Sequence, residues 1–299
     1  MLAVAKTLRG KLFAGPVRTV TPTQDQASSV RSLIAPAEGQ IPVAFLISNG
    51  VVVIDFCGPW EVFQDTAVPD RKERPFRLYT VAETAKPVRT SGGMQVIPDY
   101  TFENVPEPKV LVIPAQRGQN SAMLNFIRRV TKATDLTMSI CVGANVLAST
   151  GLLSGKSATT HHDSYRTFAM AFPDIDVRKG VRFVEENNLA TSGGLTSGID
   201  LALHVVERYF GRDVAKATAY QMEYQGEGWT NVNSNVVYAA APHAAEGQGI
   251  CAVCWMQIPV GTAPNSSYKG KKYYFCTLAH KERFDATPEK FLVSPGRAE

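Results

Sequence analysis

Apolar residues fall along the chain in short unbroken runs, separated by longer stretches in which they recur every three or four positions. "PVAFLIS" (42–48), "PFRLYTVAE" (75–83), "KVLVIP" (109–114) and "LTMSIC" (136–141) are too short for buried helices, and most have no polar face. Such runs predict strands covered on both sides. "SAMLNFIRRVTKAT" (121–134), "GANVLASTG" (143–151), "DSYRTFAMAF" (163–172), "TSGIDLALHVVERYFG" (196–211) and "RDVAKATAYQMEYQ" (212–225) are predicted helices, the fourth closed by a cap at Gly211. In "DFCGPWEVFQ" (55–64), Pro59 suits a first helical turn. A short helix is therefore expected to begin near Gly58, leaving Asp55 in the loop after the first strand. "VRTSGGMQVIPDYTFENV" (88–105) reads as a hairpin-like excursion and "SATTH" (157–161) as extended chain. "VRFVEENNLATSG" (181–193) reads as a strand pair turning on Asn187 and Asn188. Strands alternating with helices predict a parallel sheet covered on both faces, an α/β sandwich over residues 41–227.

After Trp229 the texture changes. Residues 228–249 are small, polar and Ala-rich and read as a linker, and residues 250–294 form a compact cysteine-bearing unit. The first 40 residues hold five Lys/Arg against two acids, with charges breaking each apolar stretch. They lack the apolar segment of a secretory signal and read as an unstructured leader; export or organellar targeting by residues 1–40 stays open. No apolar run is long enough for a bilayer, so no membrane partner is expected. The net charge of +4 comes from basic ends on a near-neutral middle, which does not predict a nucleic-acid groove. Five cysteines, an odd number with three in the last 50 residues, are not a disulfide framework. They fit a reducing compartment, and the cytoplasm is the expected location.

The stretch "SICVGANVLASTGLLSGKSATTHH" (139–162) places Cys141 at a strand end, with Gly143 and a helix following. In open α/β sheets ligands collect beyond the carboxyl ends of the strands. A cysteine at such a turn projects into that crevice, and the helix N-terminus is expected to lower its pKa. The competing reading is a small buried hydrophobe, which is the reading given to Cys57. His161 ends the next extended segment and can act as acid or base; alternation sends His162 to the opposite face. Asp55 can hold or relay the thiol's proton, or simply cap its helix.

Taken in order, "DFCGPWEVF", "VLVIP", "SICVGANVLASTGLLSGKSATTHH" and "ATSGGLTSGIDLAL" resemble the DJ-1/PfpI superfamily over roughly residues 42–227. The nearest likeness is to its isonitrile hydratase-like branch and to the N-terminal domains of some AraC-type regulators. No helix-turn-helix pattern is read here. The resemblance implies a flavodoxin-like parallel-sheet sandwich of the class I glutaminase-like type, a homodimer, and no cofactor in the α/β domain. It implies that Cys141 is the nucleophile, Asp55 the acid beside it and His161 the histidine of the "TTH" segment. Where the hydratases resemble "CTG" this chain has Val142, so a hydroxyl is missing. Where the family usually has Gly-Gly after "VIP", Ala115 and Gln116 stand. Ala115 keeps a backbone N–H that can face the crevice, and Gln116 has a side chain that can fill it.

In the C-terminal unit Cys251, Cys254, Cys276 and His280 form C-x2-C-x21-C-x3-H, a metal-site spacing. Thiolates with one imidazole suit zinc or copper. A unit of this size is marginal without a staple, which favours metal over thiols that merely pack. "VCWM", "YKGKKYYFC" and "HKERFDATPEKFL" resemble the YHS domain. The resemblance implies that Cys254, Cys276 and His280 hold the metal, with His280 where a cysteine is usual and Cys251 a fourth candidate. Trp255 replaces a usual glycine. "YKGKKYYF" is expected to be a hairpin with aromatics inward and lysines in water.

Two functions follow. One is an enzyme that adds water to a small electrophilic carbon, isonitrile-like or carbonyl-like, through Cys141. The other is a redox or metal sensor on the same scaffold. Fold alone does not choose between them. The partners expected in the first case are a small-molecule substrate and a metal ion.

Overall fold

The computed structural model describes residues 33–239 and 244–292. The expected leader lies mainly outside the described residues. Its end, residues 33–40, is held: Leu33 is buried in the core, and Arg71 donates to the carbonyls of Pro36 and Gly39.

The elements follow in chain order. β1 (Ile41–Leu46) leads to α1 (Val53–Asp65) and β2 (Phe76–Ala82). A small hairpin of β3 (Val88–Arg89) and β4 (Gln95–Val96) precedes β5 (Tyr100–Thr101) and β6 (Val110–Ile113). Next come α2 (Ser121–Thr131), β7 (Leu136–Ser139), α3 (Gly143–Ser149), β8 (Ser157–Ala158), α4 (Tyr165–Ala171) and β9 (Asp176–Val177). The strand pair β10 (Phe183–Glu186) and β11 (Leu189–Ser192) turns at Asn187, whose φ is +60°. α5 (Ser197–Phe210) and α6 (Arg212–Gln221) complete this part.

Seven strands form one sheet in the order β10-β11-β7-β6-β1-β2-β5, parallel except for β10. Successive strand residues feed two cores. Val43, Phe45, Val110, Val112 and Met138 lie in the core that Phe56 and Phe63 of α1 and Leu201 and Val205 of α5 complete. Ala44, Leu46, Leu111 and Ile113 lie in the core shared with Phe126 and Ile127 of α2 and Leu147 of α3. This is the period-two pattern of a sheet covered on both faces. The order reverses beside β1: β2 lies on one side and β6, the next long strand, on the other. That switch point is where such sheets open a crevice.

Three expectations are corrected. α1 begins at Val53, not near Gly58, so Pro59 sits inside the helix and Asp55 in its first turn. Pro59 forfeits one helical bond, but burial of Phe56, Val62 and Phe63 holds the helix together. The strand expected over 157–161 ends at Ala158, and the chain enters a 3-10 turn at His162–Ser164. The expected linker contains a 3-10 segment, Val232–Tyr238, in which buried Asn235 accepts from Arg182.

The C-terminal unit consists of two hairpins, β12 (Gln248–Ile250) with β13 (Gln257–Pro259) and β14 (Asn265–Tyr268) with β15 (Lys271–Tyr274), followed by α7 (Leu278–Ala286) and α8 (Glu289–Leu292). Phe275 and Phe284 centre a small core, to which Tyr268, Tyr273 and Tyr274 pack while Lys271 and Lys272 stay exposed. The second hairpin thus has the expected arrangement of aromatics and lysines. Arg166 of α4 donates to the Ala252 carbonyl (3.0 Å) and lies over the rings of Trp255 and Phe291. Trp255 has φ +67°, a conformation that favours glycine and explains why a glycine is usual there. Cation–π contacts from Arg166 and Lys179 offset that strain.

Candidate functional site

Cys141 follows β7 by two residues, in the turn that leads into α3, and has φ +57°. A cysteine in this region is strained unless its surroundings hold it. Here they do. Its N–H donates to Gly193 O (3.0 Å), and its carbonyl accepts from the buried Thr160 hydroxyl (3.0 Å). The backbone N–H groups of Val142 and Leu195 lie near the sulfur and favour its ionised form. Leu195 is itself left-handed, at φ +50°. Gly143 is required by close approach, since a Cβ there would lie 2.2 Å from Ile113 O. Gly143→Ala is therefore expected to cost about 3 kcal/mol or more and to lower Tm by at least about 5 °C. An unchanged melting curve would show that the elbow yields freely.

Asp55 is fully buried. Its Oδ2 accepts from Ala115 N–H (3.1 Å), and its Oδ1 has no hydrogen-bond partner. Burial raises its pKa to about 7, with the Ala115 bond opposing. Cys141 is only 8% exposed. Burial, then the Asp55 charge, pushes its thiol up to about 12 against the two amide donors. The expected lowering by the helix N-terminus is therefore corrected. α3 has only seven residues, and desolvation beside a second acid outweighs the donors.

Ala115, Gln116 and Val142 line one pocket of about 610 Å³ at the switch point. The donor role expected of Ala115 is corrected, because its N–H is taken by Asp55. Gln116 donates through Nε2 to Leu46 O (3.1 Å), and its buried Oε1 has no partner.

His161 caps the 3-10 turn, its Nδ1 accepting from Asp163 N–H (3.3 Å). The ring lies against Gly194, where a Cβ would meet Cδ2 at 2.2 Å, one residue before the Leu195 amide that reaches the sulfur. Burial, then the charge of His162, lowers its pKa, which favours the neutral imidazole. His161 and His162 are not on opposite faces: their ring centroids are 4.3 Å apart, because the extended segment stops short of them. Cys57 packs against the core, as expected. Sequence reasoning missed Leu195 and Thr160. The Gly193-Gly194 doublet is the one local signal of a close approach.

The second group is Cys251, Cys254, Cys276 and His280, whose ligand atoms all lie within 4.8 Å of one another. Cys254 Sγ is 3.6 Å from Cys276 Sγ, and His280 Nδ1 lies 3.1 Å from Cys276 Sγ and 3.6 Å from Cys251 Sγ. A tetrahedral zinc site needs S···S separations of about 3.8 Å, so these donors fit such an ion with small adjustments. A hydrogen bond from Cys254 and nearby backbone N–H groups draw the Cys251 thiol below the ordinary range. Arg166 lies near enough for the Cys251 and Cys254 charges to act on it.

The DJ-1/PfpI family model matches residues 42–208, which contain Asp55, Cys141 and His161. The chain belongs to the DJ-1/PfpI family. The YHS domain model matches residues 252–294, the part that carries Cys254, Cys276 and His280. The isonitrile hydratase of Pseudomonas putida is 35% identical over 192 residues, 62% of this chain and 78% of that protein. The HTH-type transcriptional regulator GbdR of Pseudomonas aeruginosa is 25% identical over 154 residues, 50% of this chain but only 42% of the regulator. Among solved structures, a ThiJ/PfpI family protein from Pseudomonas syringae aligns with TM-score 0.56 and 25% identity over 72% of this chain and 83% of its own. No helix among the described residues is long and apolar enough to cross a membrane.

Proposed function

We propose that this DJ-1/PfpI protein is a cysteine-dependent hydratase acting on a small isonitrile-like carbon, with a metal ion held in its YHS domain. The observation that carries the reading is a buried carboxyl, near enough for its charge to act on the Cys141 thiol, whose pKa is raised to about 7 and whose Oδ1 is unpartnered. A general base works best when its pKa lies near the working pH. A thiol at about 12 is almost wholly protonated at pH 7, so it needs such a base as it attacks.

Ionised Asp55 takes the thiol proton as the sulfur bonds to the terminal carbon of the isonitrile. The carbon then receives that proton, giving a thioimidate. Water adds to the C=N bond, the C–S bond breaks, and an N-substituted formamide leaves with the thiol restored. One water is consumed and nothing is oxidised. The Val142 and Leu195 amides stabilise charge on the sulfur as it attacks and leaves. His161 is a neutral proton carrier at the edge of the site. The likeness to the Pseudomonas putida isonitrile hydratase supports this substrate class. The regulator relatives support sensing instead. Against a redox version of that reading, oxidation follows thiolate character, and this thiol holds its proton. The deciding assay is formamide production from isonitriles and, in parallel, turnover of α-oxoaldehydes and amides. Wild type inert toward all of these substrates would leave sensing as the better reading.

The donor set in the YHS domain supports a zinc or copper ion. Protein purified without chelator is expected to carry about one metal ion per chain. The double variant Cys254→Ser, Cys276→Ser is expected to lose it. Equal metal content in both proteins, read by elemental analysis, would remove the site.

A further inference from the structure

The pocket at the switch point meets the elbow at Val142, the residue after Cys141, and holds more than the hydratase chemistry uses. Beyond Ala115, Gln116 and Val142 it is lined by Asn49, Gly50, Arg89, Thr90 and Arg117. The last three form a polar group that no step above requires. Arg89 and Arg117 are exposed, and neither guanidinium has an acid partner among the described residues. Thr90 is only 5% exposed, and its hydroxyl makes no hydrogen bond. A buried hydroxyl without a partner costs free energy unless a ligand supplies one.

The two arginines are brought together by one residue. Asn49 accepts Arg89 N–H on its side chain (2.9 Å) and Arg117 N–H on its carbonyl (3.0 Å). Gly50, at φ +77°, clears a path for the Arg117 stem: a Cβ there would lie 3.0 Å from Cγ and Cδ. Both arginine-bearing segments are thus pinned beside a single cavity. Two guanidinium groups and one hydroxyl donor are the chemistry that recognises a carboxylate. Gln116 Oε1, buried and unpaired, offers an acceptor to an N–H deeper in the same space.

We propose that the substrate carries a carboxylate close to its reacting carbon, bound by Arg89, Arg117 and Thr90, with Gln116 accepting from the N–H of the formamide product. The substrate class is therefore a small isocyano acid rather than a plain hydrocarbon isonitrile. The inference rests on Cys141 being the reactive group, but its binding half can be tested without chemistry. Calorimetry with N-formylglycine, on the wild-type full chain and on Cys141→Ala, is expected to give equal affinities. N-formylglycinamide, which lacks the charge, is expected to bind about 10- to 100-fold more weakly. Arg89→Gln and Arg117→Gln are each expected to weaken the acid by about 10-fold or more while leaving the amide unaffected. Raising the salt is expected to weaken the acid alone. Equal affinity for acid and amide, or no binding of either, overturns the proposal. In turnover, isocyanoacetate is expected to exceed its methyl ester in kcat/KM, and the advantage is expected to vanish in the arginine variants. If N-formylglycine binds as described but no isonitrile is hydrated, the carboxylate site stands and the hydratase reading falls.

Discussion

Alanine in place of Cys141 is expected to lower isonitrile hydration by at least about 10³-fold while the fold survives. The loss is large because the sulfur forms the bond, and no other nucleophile has been placed at this elbow. The fold survives because the turn is held through the Cys141 backbone, by Gly193 and Thr160, not through the sulfur. The pH profile adds a stricter test. With the thiol at about 12 and Asp55 at about 7, the active form has the carboxylate ionised and the thiol protonated. The kcat/KM for hydration is therefore expected to rise with pH through about 7 and then level off. Alkylation of Cys141 by iodoacetamide, which needs the thiolate, is expected to be slow at pH 7. It is expected to keep accelerating above pH 9, where an ordinary thiol, near 8.5, has levelled off. Alkylation that saturates near pH 6 would mean a preformed thiolate, and Asp55 would have no proton to take.

The sheet was legible because its strands are apolar on both faces, and Val43, Ala44, Phe45 and Leu46 alternate between two cores as such strands must. The Cys251, Cys254, Cys276 and His280 cluster was legible because all four lie in one short segment with metal-site spacing. The rest depended on contacts between distant parts of the chain. Pro59 signals a helix start locally, yet the packing of Phe56 and Val62 carries α1 back to Val53. The helix N-terminus argues for an acidic thiol, but a thiol's burial beside a carboxylate cannot be read from its neighbours in sequence. His161 and His162 come together because a cap ends the extended run, and a cap in the middle of "TTHHD" leaves little periodic trace. Arg89 at the end of β3 and Arg117 in the loop after β6 lie far apart in sequence and are brought together through Asn49 and Gly50.

Asp55→Asn is expected to separate stability from activity, with opposite signs. In wild type the folded-state pKa of Asp55 is raised from 3.8 to about 7. A carboxyl whose pKa rises on folding is favoured in its protonated form. Its contribution is fully present below pH 3.8 and is lost as pH rises to about 7. Asparagine is neutral throughout and keeps the side-chain oxygen that accepts from Ala115. It also places an amide N–H where Oδ1 has no partner. The variant's advantage over wild type is thus expected to be small at pH 4 and to grow by about 1.4 kcal/mol per pH unit. It flattens above pH 7, at up to about 4 kcal/mol, or on the order of 10 °C in Tm. Hydration activity is expected to fall by about 10²- to 10⁴-fold, because the amide cannot take the thiol proton. Removing the like charge also eases ionisation of Cys141, so alkylation at pH 8.5 is expected to be faster in the variant. A Tm difference that does not change between pH 4 and pH 8 would show that Asp55 is ionised throughout, and the case for a poised general base would fail with it. A buried acid with one oxygen unpartnered and its pKa raised to about 7 is the arrangement from which a functional role is inferred, and the Asp55→Asn comparison measures what that arrangement costs the fold.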